Sequence, residues 1–340
     1  MKAAVLHAIG KPLRIEDVAM PTIGATDVLV RTSTCGICRT DLHIQDGAAY
    51  VPALPHIPGH EPAGVVEAVG GDVKTLAVGQ RVAPHLFFTC GTCWHCQAGA
   101  DAQCSKVRGI LGVTKTGAFA EYFAAPAMNL IALPDSVEFA AGGLTSCAAV
   151  TALHAVERSR VTSGETAAVI GVGGVGQLIV QILKSIGTRV VAIDRSEMSL
   201  RTARQSGAGL SVLAGDANAV RQVGEFAGAL GVTCIFDIVG TSASLRTATE
   251  LVRNRGRIVV IGEEADSLPL TSTTIAQREI EIIGSRNGSR RNAADAVAML
   301  ADGRMKPTID RRFPLDQINE AFDYVRSGAA NGRVVITIRE

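Results

Sequence analysis

The sequence predicts an α/β protein of two domains, in which a doubly wound parallel sheet is inserted into an irregular β-rich domain. Its 340 residues suffice for two domains of roughly 150 residues each. Between residues 166 and 284, apolar strand-like runs alternate with helical patterns, as in a parallel sheet covered by helices on both faces. Residues 1–150 instead carry short alternating segments broken by Gly and Pro, which indicate irregular β structure.

The individual elements follow from these patterns in chain order. The strand-like segments of the first part are DVLVRTS, AGVVEAVG, QRVAP and GAFAEYFAA. The inserted part predicts the strands TAAVIG, TRVVAID, CIFDIVG, RIVVIG and EIEIIG, and helices over residues 175–186, 197–206 and 243–252. Beyond Gly284 we expect helices over residues 293–301 and 315–326, a short strand between them, and a final strand over 333–338 that returns to the first domain.

Composition and charge exclude several classes of protein. Lys and Arg number 33 against 32 Asp and Glu, a net charge of +1 that excludes a strongly basic nucleic-acid binder. The most apolar stretch, residues 166–183, contains four glycines, so it predicts a buried strand, turn and helix rather than a membrane span. The first 13 residues hold no signal-peptide core, so we expect a cytoplasmic protein with no membrane or nucleic-acid partner.

A glycine-rich hexapeptide, GVGGVG at residues 171–176, follows the predicted strand TAAVI and opens a helix. Gly171 allows the tight turn, Gly173 lets the backbone approach a pyrophosphate, and Gly176 lets helix and strand pack closely. The N–H groups of the helix N-terminus are then available to phosphates. The sequence therefore predicts a dinucleotide-binding turn that includes Gly171, Gly173, Gly174 and Gly176.

The preference for NAD or NADP depends on Asp194 and Arg195, at the end of the next strand. Asp194 ends that strand, 18 residues after Gly176, where a carboxylate accepts hydrogen bonds from a ribose. The carboxylate also repels a 2′-phosphate, which favours NAD over NADP. Arg195 favours the opposite preference, because a guanidinium is able to hold such a phosphate.

Four cysteines within fifteen residues form a candidate metal lobe: Cys90, Cys93, Cys96 and Cys104. Four thiolates at such spacing complete a tetrahedral shell around zinc and leave no open position, which is typical of a structural site. An iron–sulfur cluster is disfavoured, because its motif has a shorter last gap and a proline after the fourth cysteine, where this chain has Ser105.

A second group of potential ligands is spread along the chain. Cys38 lies near His60, and Cys147 follows far downstream. Two cysteines and one histidine are able to hold a zinc with an open fourth position, as catalysis requires. Spacing alone does not decide whether Cys35 or Cys38 is the first ligand. It also does not decide whether Cys147 is a ligand or a small buried residue of the core.

These residues, with the glycine turn, the four-cysteine lobe and the ending NGRVVITI, resemble the zinc-dependent alcohol dehydrogenases of the medium-chain dehydrogenase/reductase superfamily. The resemblance runs through nearly the whole chain in family order. It implies a GroES-like catalytic domain of residues 1–150 and 288–340, with two zinc sites per chain. It also implies a Rossmann NAD-binding domain of residues 151–287.

The resemblance also assigns the ligands of the catalytic zinc. It selects Cys38, which directly precedes Arg-Thr-Asp, rather than Cys35, and adds His60 and Cys147. Glu61 matches a carboxylate that approaches the metal when the fourth ligand exchanges. Asp41 matches the group that hydrogen-bonds the ligand histidine and fixes its tautomer.

The activity implied by the resemblance is hydride transfer between an alcohol carbon and the nicotinamide of NAD. Thr40 matches the hydroxyl that takes the alcohol proton, and His43 matches the outer end of a relay that passes it to solvent. Arg39 and Arg333 match residues near the pyrophosphate, whereas Thr151 and Val175 match residues beside the nicotinamide.

For the substrate, the sequence predicts only a chemical class. Leu86 or Phe87 and Tyr50 supply a pocket without a charged anchor, which fits a neutral primary or secondary alcohol, or its aldehyde or ketone. Alternatives are a carbonyl reductase, a polyol or aryl-alcohol dehydrogenase of the same superfamily, or a non-catalytic dinucleotide-binding protein. Family members of this length are commonly tetramers, so we expect a homotetramer, with a dimer as the alternative. Arg286, Arg290 and Arg291 are expected in a solvated hinge loop.

Overall fold

The structure is a computed structural model that describes residues 1–264, 266–267 and 270–339. It divides into two compact units, each with its own set of internal contacts. The first unit consists of Met1–Val150, Ser289–Gly303 and Pro307–Glu340. The second unit consists of Thr151–Gly288 and Arg304–Lys306.

The N-terminal part of the first unit is built mainly from strands. They are β1 (Lys2–Val5), β2 (Arg14–Asp17), β3 (Asp27–Ile37), β4 (Glu61–Val69), β5 (Arg81–Pro84), β6 (Phe87–Phe88), β7 (Gly109–Ile110), β8 (Tyr122–Pro126) and β9 (Leu130–Ala132). The helices are α1 (Arg39–Asp46), α2 (Trp94–Gln97) and α3 (Phe139–Gly143), and α4 (Ala148–Ser159) continues into the second unit.

The second unit alternates strands and helices. Its strands are β10 (Thr166–Ile170), β11 (Arg189–Asp194), β12 (Leu210–Leu213), β13 (Val232–Asp237), β14 (Val252–Val260) and β15 (Glu281–Gly284). Its helices are α5 (Gly176–Ile186), α6 (Glu197–Ser206), α7 (Ala219–Ala227), α8 (Ser242–Leu251) and α9 (Ser272–Arg278). The strands form one parallel sheet in the order β12-β11-β10-β13-β14-β15. This is the doubly wound order, which reverses direction between β10 and β13.

The chain then returns to the first unit. The returning elements are α10 (Arg290–Ala301), β16 (Ile309–Pro314), α11 (Ile318–Arg326) and β17 (Arg333–Thr337). β17 pairs antiparallel with β3 and completes a sheet ordered β16-β17-β3-β4-β5-β9, in which β8 also pairs with β3. The predicted α/β class, with a β-rich part and an inserted parallel sheet, is confirmed.

Helix α5 shows how the sequence specifies these elements. Leu178, Ile179, Ile182 and Leu183 are all buried, and their spacing puts them on one face of the helix. The helix ends at Gly187, whose φ of +86° lets its N–H reach back to the carbonyls of the last turn. Burial of one apolar face and a left-handed cap together account for the helix and its end.

Several elements differ from the prediction. β12, α7 and α9, which have four, nine and seven residues, were not predicted. The signal for α7 was present, because its buried residues Val223 and Ala227 lie four residues apart on one face of the helix. The helix predicted over residues 315–326 begins as a 3-10 turn, Leu315–Gln317, before α11. The prediction that Arg290 lies in a solvated hinge loop is wrong. The residue lies in the first turn of α10 and donates to the buried carboxylate of Asp101.

No single helix in the described part of the chain is long and apolar enough to cross a membrane. One pair, Phe139–Ser146 with Ala148–Ser159, meets the length and composition criteria when taken together, although it is bent by 50°. Most residues of this pair are buried in the fold.

Candidate active site and metal centres

The four cysteines of the lobe lie close enough to share one metal ion. The sulfur atoms of Cys93 and Cys96 are 3.5 Å apart, those of Cys90 and Cys104 are 3.6 Å apart, and the pairs Cys90–Cys96 and Cys93–Cys104 are at 3.9 Å. A tetrahedral zinc with bonds of about 2.3 Å to sulfur requires a sulfur–sulfur separation of about 3.8 Å. The residues therefore fit a four-thiolate zinc.

Backbone N–H groups around the lobe point at the sulfur atoms. The N–H of Cys93 donates to Cys90 Sγ at 3.4 Å, and the N–H of Lys106 donates to Cys104 Sγ at 3.4 Å. Backbone donors of Cys96 and Ser105 lower the pKa of Cys93 to about 5. Such donors stabilise thiolate over thiol, which is the form that binds metal.

The lobe is attached to the returning chain through one buried carboxylate. Asp101, which is 3 % exposed, lies between the third and fourth cysteines. Its oxygens accept hydrogen bonds from the backbone N–H of Arg290 at 2.9 Å and from Arg290 Nε at 3.1 Å. The bidentate contact ties the lobe to the first turn of α10.

The second ligand set also converges in space. The potential ligand atoms of Cys38, His60, Glu61 and Cys147 all lie within 4.8 Å of one another. Cys38 directly precedes α1, and Cys147 directly precedes α4. Glu61 begins β4, and His60 directly precedes it. Cys35 is fully buried on β3 and is not part of this set, so the geometry favours Cys38 over its competitor.

Asp41 holds two members of this set in position. Its Oδ2 accepts the N–H of Cys38 at 2.8 Å, and its Oδ1 lies 3.2 Å from Nδ1 of His60 and accepts the N–H of Gly59 at 3.2 Å. A proton on Nδ1 that is shared with this carboxylate leaves Nε2 as the nitrogen able to ligate a metal. Asp41 is completely buried, so these contacts are not screened by solvent.

Arg333 pairs with Glu61 rather than projecting into solvent. A guanidinium nitrogen of Arg333, which is 8 % exposed, donates to Glu61 Oε1. The other oxygen, Oε2, is buried without a hydrogen-bond partner and points toward Gly36, where an added Cβ would lie 2.4 Å away. An unpartnered carboxylate oxygen beside two thiols and an imidazole fits a cation in this place.

The ionisation of the set follows from its burial and its charges. A hydrogen bond from Cys147 is the largest influence on Cys38 and holds the pKa of that thiol well below its usual range. Burial alone lowers the pKa of His60, but the charges of Asp41 and Cys38 together raise it well above its ordinary value. Cys38 is therefore favoured as a thiolate, the form of a cysteine that binds a metal.

The two predicted relay residues lie on α1 next to this set. The hydroxyl of Thr40 is 3.7 Å from the sulfur of Cys38. His43 is one turn further along, three residues from Thr40, so both side chains lie on the same face of the helix. Both are partly exposed, as a route for a proton requires.

The glycine turn of the second unit has the predicted shape. Gly171 has a φ of +88°, and an added Cβ on Gly176 would lie 2.0 Å from the carbonyl oxygen of Gly171. An added Cβ on Gly173 would meet nothing within 4 Å, so the backbone there is open to a ligand. Asp194 Oδ2 accepts the N–H of Val172 at 2.8 Å, which fixes the carboxylate at the turn.

The remaining predicted residues occupy varied environments. Arg39 and Arg195 are exposed, Thr151 is buried on α4, and Val175 immediately precedes α5. Leu86 and Phe87 are both buried in the first unit, and their part in a substrate pocket stays a prediction.

Comparison with known proteins identifies the family. Residues 24–135 match the family model "Alcohol dehydrogenase GroES-like domain", and residues 174–302 match the model "Zinc-binding dehydrogenase". An alcohol dehydrogenase of Geobacillus stearothermophilus is 36% identical over 340 residues, covering 99% of this chain and 100% of that protein. The chain belongs to the zinc-dependent alcohol dehydrogenases.

Other members of the family also match this chain over nearly its whole length. An NAD-dependent alcohol dehydrogenase of Sulfolobus acidocaldarius is 30% identical over 99% of this chain and 100% of that protein. The crystal structure of the alcohol dehydrogenase from Aeropyrum pernix superimposes with a TM-score of 0.92 at 33% identity, covering 99% of this chain and 100% of that one. The predicted membership of the medium-chain dehydrogenase/reductase superfamily, and with it the enzyme class, is confirmed.

Sequence reasoning missed some residues that shape these zinc-dehydrogenase sites. Asp101 reads as an ordinary surface acid within the lobe, and only its long-range contact with Arg290 reveals it. Gly36 is separated from Glu61 by a loop and a helix, although the register of β3 on β4 places the two residues opposite each other. Gly36 lies three residues beyond the predicted strand DVLVRTS, which the structure extends to Ile37, so the prediction contained no signal of this close approach.

Proposed function

We propose that this chain oxidises a neutral primary or secondary alcohol to an aldehyde or ketone with NAD, and that it runs the reverse reduction with the same residues. The observation that carries the proposal is the convergence of the half-buried Cys38 and Cys147 with the buried His60 and Glu61. Soft thiols disfavour calcium and magnesium, and two thiols with one imidazole match the three-ligand pattern of a catalytic zinc, in which the fourth position stays open to exchange.

Cys38, His60 and Cys147 would hold the catalytic zinc, and Glu61 is the carboxylate placed to approach it. Zinc bound there supplies Lewis acidity, which lowers the pKa of an alcohol oxygen and polarises a carbonyl. The four thiols of Cys90, Cys93, Cys96 and Cys104 would hold the structural zinc. Zinc as the metal is supported by the donor set and by the zinc-binding family model.

Thr40 and His43 are proposed to move the proton released by the alcohol. The hydroxyl of Thr40 both donates and accepts, and it lies beside Cys38, so it is placed to take a proton at the metal set. His43 lies one turn along α1, and its partly exposed imidazole offers both a donor and an acceptor nitrogen for passing that proton on.

The proposed cofactor is NAD, which when bound supplies the hydride acceptor. The glycine turn, from Gly171 to Gly176, would hold its pyrophosphate at the N-terminus of α5. Asp194 would accept from the ribose hydroxyls and disfavour the 2′-phosphate of NADP. The name of the Sulfolobus relative, an NAD-dependent alcohol dehydrogenase, supports the same choice.

We also propose a homotetramer in the cytoplasm. The assembly rests on the resemblance of length and motifs to the family, and light scattering after size-exclusion chromatography tests it. The compartment follows from chemistry, because all the thiols of both metal sets must stay reduced to bind zinc.

One experiment tests the proposed reaction. Purified protein is analysed for zinc, and a panel of alcohols, aldehydes and ketones is assayed with NAD and with NADP by absorbance of the reduced cofactor. The proposal expects two zinc ions per chain, turnover of neutral alcohols and preference for NAD. One zinc per chain with no turnover of any alcohol or carbonyl would overturn it.

A further inference from the structure

A fully buried carboxylate ends strand β13. Asp237 is 0 % exposed and makes no ion pair with the residues that the structure describes. Its Oδ1 accepts the N–H groups of Val239 at 2.9 Å and Gly240 at 3.0 Å, and its Oδ2 accepts the hydroxyl of Ser244 at 2.8 Å. Three donors and the N-terminus of α8 therefore compensate the charge in place of a cation.

The backbone of the same residue fixes a second loop. The carbonyl oxygen of Asp237 accepts the N–H groups of Ile261 at 2.9 Å and Gly262 at 3.1 Å. The two loops touch so closely that an added Cβ on Gly240 would lie 2.5 Å from the carbonyl oxygen of Gly262. One residue thus holds together the loops that follow β13 and β14.

The loop after β13 in turn packs on the dinucleotide turn. The N–H of Ile238 donates to the carbonyl of Ile170, the last residue of β10, at 3.0 Å. A Cβ added to Gly171 would lie 2.9 Å from a methyl group of Val239. The side of the glycine turn that faces β13 is therefore shaped by Ile238 and Val239, and Asp237 accepts the N–H of Val239.

This contact lies where the sheet reverses its winding, between β10 and β13. In doubly wound sheets, ligands bind outside the carboxyl ends of the strands at that point. Both Gly171, after β10, and Asp237, at the end of β13, are at carboxyl ends. The carboxylate itself is buried, and it acts on the turn through its donor Val239, which contacts Gly171.

We propose that Asp237 is a positioning residue for dinucleotide binding, which acts by holding residues 238–240 against the glycine turn. The inference rests on the proposed use of NAD. It assigns Asp237 no contact with the cofactor, and it distinguishes the residue from Asp194, whose carboxylate faces the ribose in the proposed function.

The test compares Asp237→Asn with the wild-type enzyme. The amide keeps the volume and its oxygen still accepts from Val239 and Gly240, but the charge that strengthens both hydrogen bonds is removed, and a donor replaces the oxygen that accepts from the Ser244 hydroxyl. Titration of NADH fluorescence is expected to give a dissociation constant raised about tenfold, the equivalent of one lost buried hydrogen bond. At saturating cofactor, kcat should change less than about twofold, because the reacting groups are untouched.

Hydrogen exchange supplies a readout that is independent of the cofactor. In the variant without ligand, peptides that cover residues 170–176 and 238–241 should exchange faster than in the wild type, whereas those of α6 should not change. Asp216→Asn is the matched control, because Asp216 also accepts a backbone N–H, that of Asn218 at 2.8 Å, but from an exposed loop after β12. It should leave both measurements at wild-type values.

The outcomes separate this inference from the proposed function. A folded Asp237→Asn enzyme that binds NADH as tightly as the wild type, with unchanged exchange at residues 170–176, overturns the positioning role. A wild-type enzyme that binds no NADH overturns the use of NAD, while exchange at the turn still decides whether Asp237 holds it. If Asp237→Asn does not fold, Ser244→Ala removes only one of the three donors and should weaken NADH binding by about threefold. Unchanged binding by that variant would contradict the proposal.

Discussion

The four thiols of the lobe come from fifteen consecutive residues, whereas the second ligand set draws on residues 38, 60, 61 and 147. The lobe is partly exposed and its thiolates are stabilised by backbone N–H groups of the lobe itself. The second set is more deeply buried, and its ligands are oriented by the side chains of Asp41 and Arg333.

In the proposed function, this difference separates a metal that supports the fold from a metal that takes part in the reaction. Four identical soft ligands close a shell and need only local spacing. A site with two thiols, an imidazole and a carboxylate needs each ligand to be held by other groups, because the vacant position must not collapse. Changes to the second set should therefore affect catalysis first, and changes to the lobe should affect stability first.

The largest effect is expected for Cys38→Ser. Loss of a ligand removes the Lewis acid, which supplies several kcal/mol to the transition state, so activity should fall roughly 10³-fold. Zinc analysis should show one ion per chain instead of two, with an unchanged circular dichroism spectrum. Cys35→Ala, three residues away on β3 and outside the set, is the control and should keep both zinc ions. Full activity of Cys38→Ser would contradict the ligand assignment.

The corresponding change in the lobe, Cys93→Ser, should act on stability. With one thiolate missing, the lobe loses its zinc and its fixed conformation, so the melting temperature should fall by about 5–10 °C. The protein that remains folded should keep most of its activity, measured per mole of the second zinc. If activity fell as steeply as in Cys38→Ser while the melting temperature stayed constant, the division between the two sites would be wrong.

A smaller effect is expected for Asp41→Asn. The amide is isosteric, but it is a weaker partner for the imidazole of His60, and such neighbours of a ligand change metal affinity by about 10–100-fold. Competition with a chromogenic chelator measures that affinity directly. The matched control is Asp46→Asn on the same helix, since Asp46 is exposed and pairs with Arg326 away from the metal set. Equal zinc affinity in the two variants would show that Asp41 does not support the site.

The smallest effect is expected for Asp101→Asn, which weakens the attachment of the lobe to α10. Loss of a charge-assisted, bidentate contact with Arg290 should cost about 1–2 kcal/mol of unfolding free energy in urea. Zinc content should remain at two ions per chain, because no ligand is altered. A double-mutant cycle with Arg290→Met isolates the pair, and additive effects would mean that the two residues are not coupled.

Local patterns predicted the parts of the molecule that are local in space. The cysteine spacing of the lobe, the alternation of strands and helices after Thr166, and the glycines of the turn each act over a few residues or one strand–helix step. The predicted turn at Gly171 and the close approach at Gly176 agree with the structure, because both depend on backbone geometry that only glycine permits.

Patterns of spacing could not choose between Cys35 and Cys38, which are three residues apart. Cys35 lies within β3 with its side chain in the core, whereas Cys38 lies one residue beyond the end of that strand, at the start of α1. The choice depends on where β3 ends and on the contact of Asp41 with the N–H of Cys38. The family resemblance supplied the answer where the pattern could not.

The ion pair of Arg333 is a second contact that patterns of residue spacing could not predict. The resemblance placed this arginine near a pyrophosphate, and the structure pairs it with Glu61, a residue 272 positions earlier in the chain. That pairing requires β17 to lie beside β3, and β3 beside β4. A buried guanidinium selects the nearest buried carboxylate, and only the assembled sheet determines which one that is.

By itself, the sequence determined the class of fold, the clustering of the four cysteines and the shape of the glycine turn, because hydrophobic period, residue spacing and glycine conformation all act along the chain. The tertiary structure decided which thiol joins His60, which carboxylate Arg333 neutralises, and which groups stand behind the glycine turn. Those contacts join residues that are far apart in the sequence. Burying their charged groups is favourable only when the assembled fold brings the partners together.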